Sequence, residues 1–241
     1  MSKLALRDVY AGYGGGDVLQ ALDLDVAEGS VTCIVGPNGA GKSTVLRVIS
    51  AILRPRQGSV LLDGEPLDGL DSAAVLRRGV VQVPQSRALF PRMSVHENVL
   101  MGGYVIRGDR QLLRRRYAEV ADLIPIVRER ANDRAGNLSG GQRRMVEIAR
   151  CLMLSPSLVL LDEPSLGLDP KSLASVAELI RSTNERGATI LLIEQNVRLG
   201  LGIASHGVVM EGGRTRLAGT SKEILDHPEI GQLFLGGAVS S

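Results

Sequence analysis

Tryptophan is absent from this 241-residue chain, and phenylalanine and tyrosine supply only two and four residues. So few aromatic faces leave little for the bases of a polymer to stack on, and a net charge of +2 argues against nucleic-acid binding driven by phosphate neutralisation. Nucleic acid is therefore not an expected partner. Two cysteines, Cys33 in an apolar run and Cys151 in a helical pattern, do not suggest a disulfide framework and read as small buried hydrophobes. No apolar run approaches the roughly 20 residues that span a bilayer. The start Met1-Ser2-Lys3-Leu4, followed by Arg7 and Asp8, lacks a secretory core. A cytosolic protein is expected, without internal repeats or low-complexity tracts.

Glycine is plentiful, with 29 residues, and its most telling cluster follows the apolar run Val31-Thr32-Cys33-Ile34-Val35. There Gly36-Pro37-Asn38-Gly39-Ala40-Gly41-Lys42-Ser43-Thr44 reads as a strand breaking into a phosphate loop and a helix start. Glycines at 36, 39 and 41 let successive backbone N–H groups converge on phosphate oxygens. Lys42 would reach the β- and γ-phosphates of a nucleotide, and Ser43 would ligate Mg²⁺. The length suits one α/β domain with small insertions.

Around that loop, Leu4 and Leu6, then Leu22, Leu24 and Val26, alternate with polar residues, as in an antiparallel edge sheet. Gly12-Tyr13-Gly14-Gly15-Gly16-Asp17 is a loop whose Tyr13 is a candidate shelf for a base. Val45, Leu46, Ile49, Ile52 and Leu53 predict a helix ended by Pro55 and Gly58. A strand and turn at 60–64, a short helix at 73–78 and a strand at 80–83 lead to Pro84-Gln85. From Ser94, where Ser94-Val95-His96-Glu97 is a possible capping box, a helical insert over about 94–137 separates two halves of the core. Arg114, Arg115 and Arg116 in it read as a solvated helix face.

Leu138-Ser139-Gly140-Gly141-Gln142 opens a helix whose inner face is predicted to carry Met145, Ile148, Ala149, Leu152 and Met153. Leu158-Val159-Leu160-Leu161-Asp162-Glu163 is the continuous apolar run of a buried parallel strand, ending in two carboxylates. Ligands gather beyond such carboxyl ends. A helix with Leu173, Val176 and Ile180, a strand at 189–193, Glu194-Gln195-Asn196, a hairpin turning at Gly212-Gly213 and short helices from about Ser221 and Pro228 complete the chain. The end, 236–241, is expected to fray.

Taken as a set, the phosphate loop at 36–43, Gln85 after a strand, Leu138-Ser139-Gly140-Gly141-Gln142 and the acidic strand ending at Asp162-Glu163 resemble the nucleotide-binding subunit of an ATP-binding cassette (ABC) transporter. The likeness spans residues 4–237. It implies an α/β P-loop NTPase cassette: a mainly parallel core sheet, an antiparallel β-subdomain and an inserted helical subdomain, about 94–154, within a single domain over 1–241. It also implies ATP and Mg²⁺. Tyr13 would stack on adenine, and residues 36–44 would hold the phosphates. Ser43, Gln85 and Asp162 would serve the metal.

Glu163 would orient or deprotonate the attacking water, with Gln85 touching it. Ser139, Gly140, Gly141 and Gln142 would face ATP held by a second ATPase subunit, the same chain or another, and Asp169 would cross that interface. Where the family pattern has a His after the next strand, this chain has Gln195, which donates a hydrogen bond but carries no proton; slower hydrolysis than in a His-bearing relative is expected, or a partner subunit that supplies the His in the other site. Integral-membrane permeases are the implied partners, met around Arg87, Pro91 and Arg92, which places the subunit peripherally on the cytoplasmic membrane face.

Met101-Gly102-Gly103, Asp162-Glu163-Pro164-Ser165-Leu166-Gly167-Leu168, Glu194-Gln195-Asn196 and the ending Phe234-Leu235-Gly236-Gly237 are similar to the second ATPase of branched-chain amino acid importers. ATPases of urea and short-amide importers, and soluble ABC ATPases of assembly machines such as iron–sulfur biogenesis, remain alternatives.

Overall fold

The alternating apolar residues near the N-terminus build an antiparallel ladder in this computed structural model, which describes residues 1–85, 88–228 and 230. The chain forms two compact units, Met1–Arg78 with the chain from Thr189 onward, and Gly79–Ala188. In the first, β1 (Ser2–Ala11) pairs antiparallel with β2 (Leu19–Ala27), placing Leu6 opposite Leu24. β3 (Val31–Val35) is buried along its whole length: four of its five residues are apolar, and Thr32 Oγ1 lies within hydrogen-bond reach of Ser30 Oγ at 3.3 Å. It feeds α1 (Lys42–Ile49). β4 (Gln57–Leu62) and the short β5 (Glu65–Pro66) extend the antiparallel sheet in the order β2-β1-β4-β5, and α2 (Ser72–Arg77) follows under an Asp71 cap.

One boundary differs from its sequence pattern. α1 stops at Ile49, because Ser50 Oγ donates to the Leu46 carbonyl at 2.8 Å and Ala51 turns left-handed at φ +54°. Ile52 N–H and Leu53 N–H both return to the Arg47 carbonyl at 2.9 Å, and Ile52 is left 63 % exposed.

The second unit opens with β6 (Val80–Val83). Its helices are α3 (Val95–Gly102), α4 (Arg110–Leu123), α5 (Ile126–Glu129) and α6 (Gly140–Leu152), followed by β7 (Leu158–Asp162) and α7 (Pro170–Glu185). β6 and β7 run parallel with Val83 level with Leu161. The capping box at the start of α3 is formed: Ser94 Oγ accepts from Glu97 N–H at 3.1 Å, and Glu97 accepts from Ser94 N–H at 2.7 Å. Arg115 and Arg116 both pair with Glu119 on the solvated face of α4. In α6 the predicted inner residues Ile148, Ala149, Leu152 and Met153 are buried, and the buried face is wider than predicted. Val146 is fully buried and Met145 only half-buried, because Arg144 and Glu147 also turn inward.

The chain then re-enters the first unit through β8 (Thr189–Glu194), α8 (Val197–Ile203), β9 (His206–Glu211), β10 (Arg214–Thr220) and α9 (Ser221–Leu225). β3 lies between β8 and β9, parallel to both, and β10 closes antiparallel on β9. Gly212 and Gly213, at φ +54° and +77°, make the predicted hairpin turn. The helix expected from Pro228 and the tail at 236–241 run into residues outside the described set.

Both cysteines behave as hydrophobes. Burial pushes the Cys33 thiol far up and the Cys151 thiol to about 11, which leaves neither a reactive thiolate near neutral pH.

Candidate functional site

Strand order explains how the first unit assembles its half of the motif residues. β3 and β8 are parallel and in register from Val31 opposite Ile190 to Val35 opposite Glu194, so Gly36 and Gln195 leave neighbouring strands at the same edge. Within the loop, Gly39 and Gly41 take φ +81° and +95°, which only glycine adopts without strain. A Cβ on Gly36 would lie 2.3 Å from the Met210 carbonyl oxygen. Pro37, Asn38 and Gly39 are exposed, whereas Ala40, Lys42 and Thr44 are buried. Lys42 Nζ donates to the carbonyls of Gly36 at 2.8 Å and Pro37 at 2.9 Å, so its ammonium is drawn across the loop. Ser43 follows in the first turn of α1, whose cap is Gly41; a helix start of this kind receives anions.

Tyr13 belongs to the same cluster. Its hydroxyl accepts from the Arg47 guanidinium at 2.9 Å and lies 3.3 Å from Thr44 Oγ1. Its ring remains 54 % exposed, with Arg47 5.5 Å from the ring centroid. The result is an aromatic face tethered to α1.

The second unit gathers the carboxylates. From the common edge of β6 and β7, Gln85 Nε2 donates to Glu163 Oε2 at 2.6 Å. Asp162 and Glu163 are both buried. Glu163 has φ +46°, a left-handed backbone unusual for a side chain of its size, and strain of this kind gathers at functional sites.

A further cluster lies at the starts of α6 and α7. Ser139 caps α6 reciprocally with Gln142: Ser139 Oγ accepts from Gln142 N–H at 3.3 Å, and Gln142 Oε1 accepts from Ser139 N–H at 3.0 Å. Ser139 and Gly140 are exposed, while Gly141 is buried. Asp169 caps α7 by accepting from Lys171 N–H and Ser172 N–H, both at 3.0 Å. Its carboxyl titrates below the usual range, chiefly because Ser172 Oγ also donates to it.

Two residues of this region escaped the sequence reading. Arg144 and Glu147 form an ion pair at 3.1 Å with both side chains almost fully buried. Arg144 also donates to the carbonyls of Pro84 and Glu163. The only hint was opposite charges three apart inside an apolar helical pattern, where a solvated pair is the ordinary outcome.

A phosphate loop, a glutamine meeting a strand-end glutamate and a capped Leu-Ser-Gly-Gly-Gln helix are the pieces of an ATPase cassette. The ABC transporter family profile matches residues 19–166.

The chain belongs to the ABC transporter family. It is similar to the high-affinity branched-chain amino acid transport ATP-binding protein BraG of Pseudomonas aeruginosa, with 36 % identity covering 97 % of this chain and 100 % of BraG. It is also 33 % identical to the lipopolysaccharide export system ATP-binding protein LptB of Acidithiobacillus ferridurans, over 97 % of this chain and 96 % of LptB. Among solved structures, the ADP conformation of the cassette MJ1267 superposes with a TM-score of 0.87 at 26 % identity, over 98 % of this chain and 100 % of that one. This ABC protein is thus an α/β P-loop ATPase with the nucleotide-binding fold of a transporter subunit. No helix among its described residues is long and apolar enough to cross a membrane.

Proposed function

We propose that this ABC ATPase energises an importer of branched-chain amino acids, acting peripherally on the cytoplasmic face of the membrane with permease subunits and a second ATPase. The observation that carries the cargo is the match to the whole of BraG. The similarity to LptB makes lipopolysaccharide export the reading to test against it.

Residue roles follow from the chemistry of each group. Phosphoryl transfer to water needs charge neutralised and an oxygen held in line. Residues 36–44, with Lys42, bind the phosphates, and the exposed ring of Tyr13 stacks on adenine. Glu163 orients the attacking water and takes its proton, and Gln85, already bonded to that carboxylate, holds it in place. Ser43 in the first unit, and Gln85 and Asp162 in the second, each offer a hard oxygen donor of the kind that suits Mg²⁺, an ion that would neutralise phosphate charge. Gln195 donates a neutral hydrogen bond toward the γ-phosphate.

The start of α6, from Ser139 to Gln142 with Ser139 and Gly140 exposed, faces ATP on the second ATPase, with Asp169 at the same interface. Residues 94–154 act as the helical subdomain. The permease contact lies around Pro91 and Arg92, beside Phe90, which is 47 % exposed while Asn98 holds its N–H and carbonyl at 2.8 and 3.0 Å; Arg87 lies outside the described residues.

The deciding experiment isolates tagged Glu163→Gln chain from its own cells in detergent with ATP, then measures what the co-purifying binding protein takes up. Multi-span permeases with a leucine-, isoleucine- or valine-binding protein are expected. A urea-binding protein, a lipopolysaccharide export assembly or soluble assembly proteins alone would overturn the cargo reading.

A further inference from the structure

α6 carries a charged pair that none of these roles uses. Arg144 and Glu147 are only 7 % and 6 % exposed at their side chains. A buried ion pair seldom stabilises a fold more than apolar side chains of the same volume would. What distinguishes this pair is where its remaining hydrogen bonds go. Arg144 Nη1 donates to the Pro84 carbonyl at 3.0 Å as well as to Glu147 Oε2 at 3.1 Å, and Nη2 donates to the Glu163 carbonyl at 3.2 Å. Glu147 Oε1 accepts from Ala88 N–H at 3.0 Å.

The pair therefore grips the backbone on both sides of Gln85, at Pro84 and at Ala88. It also grips the peptide of Glu163, the residue held at φ +46°. Gln85 and Glu163 are the two side chains that meet at 2.6 Å. A guanidinium can do this because its planar fork presents several donors at fixed angles, whereas an ammonium is a point donor on a flexible stem.

We infer that Arg144 and Glu147 are positioning residues for ATP hydrolysis: together they set the backbone of Gln85 and of Glu163 so that amide and carboxylate meet in one geometry. This rests on the reading of Glu163 as the group that activates water. Neither residue needs to touch nucleotide. Their loss lowers turnover and spares binding.

The test uses the full-length chain and compares Arg144→Met/Glu147→Leu, Arg144→Lys and Glu147→Gln with wild type in kcat, KM, ATP affinity and thermal unfolding. The double variant replaces a buried pair with apolar side chains and is expected to fold. Its kcat is expected to fall roughly 10- to 100-fold, the scale of a misplaced catalytic group, with KM and ATP affinity within about twofold of wild type. Glu147→Gln, which still accepts from Ala88, is expected to retain most of the rate.

In a Gln85→Ala background the same double change is expected to cost little more, because both act through one contact. Should the double variant not fold, Arg144→Lys keeps the charge but cannot span both carbonyls, and the same loss of kcat is expected. A folded variant with wild-type kcat, or losses that multiply fully with Gln85→Ala, would overturn the inference. Glu163→Gln run alongside separates the failures. If it too keeps wild-type turnover, the role given to Glu163 is wrong; if it alone is inactive, only the positioning role fails.

Discussion

Gly141 lies against Ser172 so closely that a Cβ built on it would sit 2.1 Å from Ser172 Oγ and 2.4 Å from its Cβ, whereas a Cβ on the neighbouring Gly140 meets nothing within 4 Å. The two signature glycines thus do different work. Gly141 lets α6 start against the first turn of α7, where Ser172 is bonded to Asp169. Gly140 keeps the exposed face of α6 bare.

Gly141→Ala is therefore expected to destabilise the chain by about 1–3 kcal/mol through overpacking. Gly140→Ala is expected to leave stability within about 0.5 kcal/mol of wild type and to impair ATP-driven association instead. Urea unfolding of both variants with light scattering in ATP checks this. Equal stabilities would contradict the packing argument.

Gln195 leaves β8 level with Gly36. Its replacement by a residue that can hold a proton, Gln195→His, is expected to raise kcat roughly tenfold, since a charge-assisted hydrogen bond is about twice as strong as a neutral one. The gain should fade as pH rises past the histidine pKa, roughly 6.5. A rate unchanged or lower across a pH series from 5.5 to 9 would show that the neutral amide is not what limits turnover.

Three carboxylates at helix starts contribute to the acid limb of stability. Glu97 accepts from the Ser94 backbone and hydroxyl, Glu223 from those of Thr220, and Asp169 chiefly from the Ser172 hydroxyl; all three titrate below their ordinary values. Because the folded pKa lies below the unfolded one, the native chain binds fewer protons. The stabilisation is complete above the unfolded values of about 4.5 for Glu and 3.8 for Asp, and is lost as pH falls through the lowered folded values. Glu97→Gln with Glu223→Gln should flatten the fall in unfolding midpoint below about pH 4.5. An unchanged slope would mean that other groups govern it.

The elements that position the site were readable wherever one periodicity ruled. The almost wholly apolar runs of β3 and β7 marked buried parallel strands, with Thr32 and the strand-end Asp162 their polar members. Ser94 and Glu97 announced a helix start through local spacing alone, and the structure adds the same reciprocal cap at Ser139 and Gln142.

The end of α1 was not readable. Apolar spacing continues through Ile52 and Leu53, and only the folded backbone reveals that Ser50 captures a carbonyl and Ala51 turns left-handed. Motif residues were legible by type and order, whereas the bond between Gln85 and Glu163 depends on β6 lying beside β7. Arg144 and Glu147 were hidden for the same reason: the carbonyls that accept from Arg144 and the Ala88 N–H that donates to Glu147 lie in other elements, which spacing along α6 does not show.

The central claim, that Glu163 activates water for ATP hydrolysis, is tested most directly by single-turnover ATP cleavage in wild type and Glu163→Gln, with ATP affinity measured on the same preparations. The account predicts that Glu163→Gln binds ATP within about threefold of wild type, cleaves it at least about 100-fold more slowly, and accumulates as an ATP-bound dimer. Cleavage at the wild-type rate would contradict it.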